Sequence, residues 1–411
     1  MFIINRVECN HVSLLIPTTK AKAKRPFHIL SKPIGPLCNL DCEYCFYLDK
    51  TDYYPQTRKF DMDEATLELH IKSYIESQPV GCSEVTFGWQ GGEPTLRGLE
   101  FFQRVVELQS RYARHGMNIV NTLQTNGVLI NDHWAAFLKK NNFLVGISID
   151  GDAELHDHYR KTRSGNGSYR QVIQGLKTLQ KHQVETNVLT VIQNHNGDHG
   201  KRIYRHLKQL GVRFIQFIPI VEPEKGKGVS KRSVSPQQFG QFMVDVFEEW
   251  RKEDIGKVFV SHFDNALGMH LGMPSSICVH APQCGENLVI EHNGDVYSCD
   301  HFVFPEFKIG NINQRDYPDL IETPIQQQFS TRKPIGSETH CQRCEQRSLC
   351  HGACPAQRID ESGEIAISAK HYLCEGYYQL FSHLRPYLEA MGQCLKRGLP
   401  PLYYARFMRR D

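Results

Sequence analysis

Apolar and polar positions alternate along this chain in blocks that read as strand, turn and helix, repeated. Short β-like runs lie at Phe27–Pro33, Glu84–Trp89, Asn118–Gln124, Phe143–Asp150, Val184–Ile192 and Val212–Val221, and turn or polar residues close them. Between them the period changes. Phe102, Val105, Val106 and Leu108 form an apolar stripe at helical spacing within Leu99–Tyr112, and a helix is expected through Trp134 and Leu138. The fifth and sixth runs are each preceded by a helix-like segment. Strands starting at Glu84, Asn118, Phe143, Val184 and Val212 keep the spacing of βα units in a parallel sheet. Six such units predict a partial or complete βα barrel.

A parallel barrel gathers the loops that follow its strands on one face, where the chemistry of such folds sits. Here those loops carry three cysteines after the first strand, Gln90-Gly91-Gly92-Glu93 after the second, and Ser148 and Asp150 at the end of the fourth. They are expected to converge on one open mouth. Past the barrel, Glu222–Ser233 is a polar, Gly- and Lys-rich stretch that reads as a solvated connector or as a flap over a substrate. Ser235-Pro236 opens a helix running through Phe242, Val246, Phe247 and Trp250. Gly294-Asp295 reads as a hairpin turn. From Tyr377 a helical tail with Leu380, Leu384, Leu388 and Met391 is expected to pack back on the body.

Length and charge narrow the picture. The 411 residues suit two or three domains. Forty-eight basic against 45 acidic residues, a formal charge of +3, is too even to suggest a nucleic-acid or membrane-surface partner. Mean hydropathy is −0.44, and no apolar run approaches the ~20 residues of a membrane span. Composition changes the picture at one point, the 14 cysteines. Met1–Pro17 is broken by Asn5, Arg6, Glu8, Asn10 and His11 and does not read as a secretory signal. A reducing, cytoplasmic compartment is therefore expected, where clustered cysteines hold metals more often than disulfides.

The cysteines are unevenly placed. Cys38, Cys42 and Cys45 lie within one short loop, eight more fall from Cys278 to Cys374, and none lies between Cys82 and Cys278. Cys9, Cys82 and Cys394 are scattered singles, read as buried or incidental. C-X3-C-X2-C supplies three thiolates, which suits a [4Fe–4S] cube with one iron left open to another ligand. Zinc at a structural site takes four protein ligands, and a zinc site completed by a distant His is the alternative.

Cys38-X3-Cys42-X2-Cys45-Phe46-Tyr47 resembles the signature of the radical S-adenosylmethionine (radical SAM) enzymes. Downstream, Cys278-X15-Gly294-X4-Cys299, then Cys341-X2-Cys344-X5-Cys350-X3-Cys354, then Cys374, resembles their SPASM branch, with Cys284 as an eighth cysteine. WQGGEPT from Trp89, LQTNG from Leu123, VGISIDG from Val145, QFI from Gln216 and GDVYSCDH from Gly294 make the chain most similar to the anaerobic sulfatase-maturating enzymes. This similarity runs from Phe27 to Tyr387. The resemblance implies an α/β fold, a partial parallel (β/α)6 barrel of radical SAM type over 27–255, followed by a cysteine-rich SPASM domain with small β-hairpins and helices over 256–376. Residues 1–26 are an extension it leaves unexplained, and 377–411 the helical tail.

Carried across by position, the resemblance implies three [4Fe–4S] clusters and S-adenosylmethionine (SAM). Cys38, Cys42 and Cys45 would hold the SAM-binding cluster. Cys278, Cys284, Cys299 and Cys354 would hold the first auxiliary cluster, and Cys341, Cys344, Cys350 and Cys374 the second. Tyr47, Gly92, Ser148, Arg160 and Ile215 match SAM-contacting positions, with Ile215 standing where the family often has Leu. Asp300 matches the proton acceptor. Each has a plainer reading: Gly91-Gly92 a tight turn, Arg160 a surface ion-pair partner, Ser148 a strand end, Asp300 a surface turn. The implied activity is hydrogen abstraction by a 5′-deoxyadenosyl radical from Cβ of a Cys or Ser in an extended, unfolded sulfatase segment, giving formylglycine. A flavodoxin- or ferredoxin-like electron donor and a monomeric enzyme are the expected context. Another SPASM peptide maturase, forming thioether or carbon–carbon crosslinks, is the neighbouring alternative. A non-catalytic metal-binding protein is the remoter one.

Overall fold

The structure, a computed structural model, describes residues 21–408 apart from Arg58, and leaves out the side chains of Asp49 and residues 334–340. The reading of Met1–Pro17, Cys9 and most of the 1–26 extension lie outside the described residues. Six strands stand side by side in chain order: β1 (His28–Lys32), β2 (Glu84–Trp89), β3 (Asn118–Thr125), β4 (Leu144–Ser148), β5 (Thr186–Ile192) and β6 (Phe214–Pro219). Every neighbouring pair is parallel. The crossovers carry α1 (Glu64–Ser77), α2 (Gly98–Tyr112), α3 (Asp132–Lys140), α4 (Ala153–Tyr159), α5 (Tyr169–Lys181) and α6 (Gly200–Gln209). The expected strands are present, the first, fourth, fifth and sixth shorter than their apolar runs. Asp150 lies past the end of β4, where its carboxylate accepts the Val191 amide at 2.9 Å.

Alternate residues of each strand face the helices. Phe87 and Trp89, Val145 and Ile147, Val188 and Ile192, and Ile215 and Phe217 pack there with Phe102, Val105 and Leu108 of α2, Leu176 of α5 and Leu207 of α6. Side chains this buried each contribute roughly 1.5–3 kcal/mol, so this layer fixes the register on which the mouth depends.

The stretch Glu222–Ser233 forms a small hairpin, β7 (Pro223–Glu224) with β8 (Gly228–Val229). Gly226 N–H donates to Ser362 O at 2.6 Å, which docks the hairpin on the cysteine-rich half of the chain. Next comes α7 (Pro236–Glu253), started as its sequence indicates by a Ser235–Gln238 capping box with Pro236 in the first turn. The two-residue strand β9 (Phe259–Val260) extends the sheet beyond β6 and leads into α8 (Ser261–His270).

At the other edge, β10 (Asn287–Glu291) pairs parallel with β1. It continues antiparallel to β11 (Asp295–Tyr297), which pairs with β12 (Lys308–Asn311). One ten-stranded sheet thus runs through barrel and cysteine-rich region, and the edge of β1 is covered. The remaining helices are α9 (Tyr317–Ile321), α10 (Pro324–Cys341), α11 (Arg347–Cys350) and α12 (Cys374–Lys396). The tail helix starts three residues before Tyr377, at Cys374 itself. Its Leu380, Leu384, Leu388 and Met391 join the main core, and Tyr377 meets Phe239 of α7 with ring centroids 4.9 Å apart.

Candidate active site

The loop after β1 carries Cys38, Cys42 and Cys45, and three neighbouring loops fasten it. Asp41 and Glu43 donate their amides to Lys161 O and Tyr159 O at 2.8 and 3.2 Å. Gly92 N–H donates to Gly35 O at 2.7 Å, and Glu93 N–H to Leu37 O at 2.8 Å. A Cβ at Gly92 would fall 1.9 Å from Leu37 O, so only glycine lets the loop after β2 lie this close to the cysteine loop. Gly91-Gly92 is therefore more than a tight turn. The buried Glu93 carboxylate accepts the Thr95 amide (3.0 Å), the Thr125 hydroxyl (2.7 Å) and the Asn126 amide (2.7 Å). Burial pushes its pKa up and these donors pull it back. Asn126 in turn donates to Asn39 Oδ1 at 2.7 Å and lies 3.7 Å from Cys38 Sγ.

A second anchor is built on Asp150. Arg160 Nε donates to it at 2.8 Å and the Tyr44 hydroxyl from the cysteine loop donates to the same oxygen. Arg160 is an ion-pair partner, as its plainer reading had it, but a buried one at 8% exposure. It stands within electrostatic reach of Cys42. Burial pushes the Cys42 thiol up to about 12, with Arg160 opposing, and the Cys38 thiol up to about 11. As free thiols these side chains keep their protons at neutral pH. A cationic metal cluster is the partner that would convert them to thiolates. Among the described residues no three His, Cys, Asp or Glu side chains are grouped to hold one metal ion.

The mouth is completed from the far end of the chain. Pairing of β1 with β10 sets Lys32 beside Glu291. Lys32, 1% exposed, forms an ion pair with Asp300 Oδ1 at 2.5 Å and donates to Gln90 Oε1 at 2.9 Å. Its ammonium also lies 4.3 Å from the centre of the Tyr47 ring. Tyr47, buried, donates its hydroxyl to Glu291. Phe46 stacks on His301 with centroids 5.9 Å apart. One buried cation thus ties the loop after β2, the cysteine loop and the segment after Cys299 into a single wall. Gln90 stands where its place after the second strand puts it, whereas Lys32 and Glu291 are not singled out by the sequence. A lysine ending an apolar strand gives no local signal of burial.

The Ile215 side chain does not face this mouth. In the register β4–β5–β6, Ile147, Val188 and Ile215 lie across from one another, as do Ser148, Leu189 and Gln216 on the opposite face. Ile215 therefore faces the helices with Phe217 at 2% exposure, while half-buried Ser148 faces the barrel interior. The apolar side-chain contact expected of Ile215 is therefore not made toward the mouth, and what this position can offer a ligand there is its backbone.

In the cysteine-rich half, the thiols fall into two neighbourhoods. Cys284, Cys299 and Cys354 pack around Phe302, Phe307 and Phe329, with Cys278 within electrostatic reach of all three. Cys341, Cys344, Cys350 and Cys374 line one cavity together with Arg358 and His371. His371 Nδ1 accepts the Leu373 amide at 3.1 Å, which places the ring proton on Nε2. That Nε2 is buried with no partner in the protein. A donor left over beside four thiols fits a cluster whose sulfurs accept it. All described cysteines are free. Cys394 is buried in the core, and Cys82 donates to Glu84 O at 3.1 Å, both apart from the two groups.

Residues 33–207 match the Radical SAM superfamily and residues 278–345 the SPASM iron-sulfur cluster-binding domain. The fold and the two cysteine regions thus define a radical SAM protein with a SPASM domain. The chain is 41% identical over 401 residues to a serine-type anaerobic sulfatase-maturating enzyme of Bacteroides thetaiotaomicron, covering 93% of this chain and 95% of that one. It is 34% identical to a cysteine-type enzyme of Clostridium perfringens over 90% of this chain and 100% of the relative. The solved structure of native anSMEcpe with bound AdoMet and Cp18Cys peptide matches with a TM-score of 0.80 at 32% identity, covering 90% and 99% of the two chains. The chain belongs to the anaerobic sulfatase-maturating enzymes.

Proposed function

We propose that the chain converts a serine of an extended sulfatase segment to formylglycine, with Asp300 as the proton acceptor. The observation that carries this reading is the Lys32–Asp300 pair, which holds a carboxylate at the barrel mouth on the same wall as Tyr47 and the cysteine loop. Cys38, Cys42 and Cys45 would hold a [4Fe–4S] cluster, with SAM beside Tyr47, Gly92, Ser148 and Arg160. Cys278, Cys284, Cys299 and Cys354 would hold one auxiliary cluster, and Cys341, Cys344, Cys350 and Cys374 another. When bound, SAM and its cluster supply the radical that removes hydrogen from the target Cβ, and the auxiliary clusters accept the second electron. The chain's own residues do the rest. Arg160, fixed by Asp150, is a guanidinium available to a carboxylate. Gly92 lets backbone approach the ligand. Asp300 takes the hydroxyl proton as the carbonyl forms.

Serine as the target rests on the higher identity to serine-type relatives, 38–41%, than to cysteine-type ones, 34–35%. The substrate enters as an extended peptide read largely by its backbone. A flavodoxin- or ferredoxin-like donor, a monomeric enzyme and action in the cytoplasm complete the reading; no described helix is long and apolar enough to cross a membrane. The test is a pair of variants assayed anaerobically. Cys42→Ala abolishes SAM cleavage, whereas Asp300→Asn keeps SAM cleavage and loses peptide oxidation. Full oxidation by Asp300→Asn removes the base assignment.

A further inference from the structure

Between the two cysteine neighbourhoods lie two buried cations that the reaction so far does not use. Arg358 and Lys333 are each 1% exposed. Arg358 donates to Ile367 O at 3.3 Å, Lys333 O at 3.0 Å and Gly352 O at 3.1 Å, and lines the cavity formed by Cys341, Cys344, Cys350 and Cys374. Lys333 Nζ donates to Cys278 O at 2.9 Å and Val279 O at 2.6 Å. Among the described residues neither forms an ion pair with a carboxylate. Their titratable neighbours are thiols: Cys278, Cys284, Cys350 and Cys354 for Lys333, and Cys284, Cys341, Cys350 and Cys354 for Arg358. Two buried cations whose partners among the described residues are backbone carbonyls are unfavourable unless something negative stands beside them. A guanidinium cannot resolve the conflict by losing its proton.

A four-iron core bound by four thiolates carries net negative charge, and reduction adds one more. A fixed positive charge beside it favours the reduced form and raises the reduction potential, the more so where the dielectric is low. We infer that Arg358 and Lys333 are the counter-charges of the two auxiliary clusters, placed to make them acceptors of the electron that leaves the substrate radical. The inference rests on the proposed ligand sets. In that step one electron passes from the substrate carbon to an oxidised auxiliary cluster, the hydroxyl proton passes to Asp300, and the C=O bond forms. Arg358 and Lys333 act through the clusters and are positioning residues.

The test is an anaerobic redox titration of the full-length, cluster-loaded protein followed by electron paramagnetic resonance, with iron and sulfide counted on each sample. The samples are the natural protein, Arg358→Gln, Arg358→Lys and Lys333→Gln. Three clusters give about twelve irons per chain. Arg358→Gln at full iron is expected to move an auxiliary couple at least tenfold toward the oxidised form, about 59 mV for one electron. The SAM-site couple stays in place, and Arg358→Lys recovers most of the shift. Loss of iron from both neutral variants but not from Arg358→Lys supports the same role. Full iron with unmoved auxiliary potentials in Arg358→Gln and Lys333→Gln overturns the inference, as does a shift in Arg358→Lys equal to that in Arg358→Gln. A natural protein with only about eight irons overturns the two-auxiliary-cluster reading instead.

Discussion

Replacing Lys32 by methionine removes the charge that pairs with the proposed base and joins it to the rest of the mouth, while keeping a side chain of similar length. Unit charges 2.5 Å apart attract by roughly 7 kcal/mol at an effective dielectric near 20. Desolvation of a 1%-exposed ammonium takes back most of this. The Asp300 side chain is 20% exposed, so water screens part of the remainder. The net contribution is then of the order of a hydrogen bond to a charged group, about 1.5–3 kcal/mol. That is enough to release Asp300 from its place, and a misplacement near 1 Å costs about 100-fold in rate. Lys32→Met is therefore expected to lower formylglycine formation about 10- to 100-fold while 5′-deoxyadenosine still forms. The assay measures both products from one anaerobic reaction by liquid chromatography and mass spectrometry, and its readout is their ratio. Formylglycine at the natural rate in Lys32→Met refutes the reasoning, because Asp300 would then need no partner.

Gly92→Ala drives a methyl group to 1.9 Å from Leu37 O and should cost at least the 1–3 kcal/mol typical of overpacking. Its signature is loss of about four of twelve irons, with the auxiliary iron kept, read by iron analysis after reconstitution. Tyr44→Phe removes the hydroxyl that ties the cysteine loop to Asp150; about 1–3 kcal/mol of loop stability is lost, seen as faster release of iron to a chelator. Stability should also fall on acidification, because burial holds His70 and His156 at about 3 in the folded chain. Their folded pKa values lie below the unfolded value of ≈ 6.5, so the unfolded state binds protons first. Stability from this source is complete above pH ≈ 6.5 and is lost as pH falls toward 3, by up to about 1.4 kcal/mol per pH unit for each histidine. A thermal midpoint that does not drop between pH 7.5 and 5.5 contradicts this.

The repeating units were legible because each strand carries its own apolar run and ends at its own turn. Helix α7 was legible for the same local reason, its start being written in Ser235 and Pro236. Long-range pairing left no such trace. Asn287–Glu291 looks like any short strand, and nothing local says that it completes the sheet beside β1. Lys32, Glu291, Arg358 and Lys333 were missed for a related reason. Each is a charged residue that the fold buries, and burial of a charge is decided by partners far away in sequence. The Ile215 assignment shows the opposite hazard. A side-chain contact carried across by position can fall on the outer face of a strand, and only the register with Ser148 reveals it.

The central claim is that this chain oxidises a sulfatase serine at Cβ. Its most direct test is anaerobic incubation of the cluster-loaded enzyme with SAM, a reductant and two peptides that differ only in Ser or Cys at the target position. Mass spectrometry of an aldehyde-trapping reaction reads the outcome. The account predicts loss of two hydrogens and a trapped aldehyde on the Ser peptide, with methionine and 5′-deoxyadenosine released. SAM cleavage without aldehyde from either peptide would contradict it.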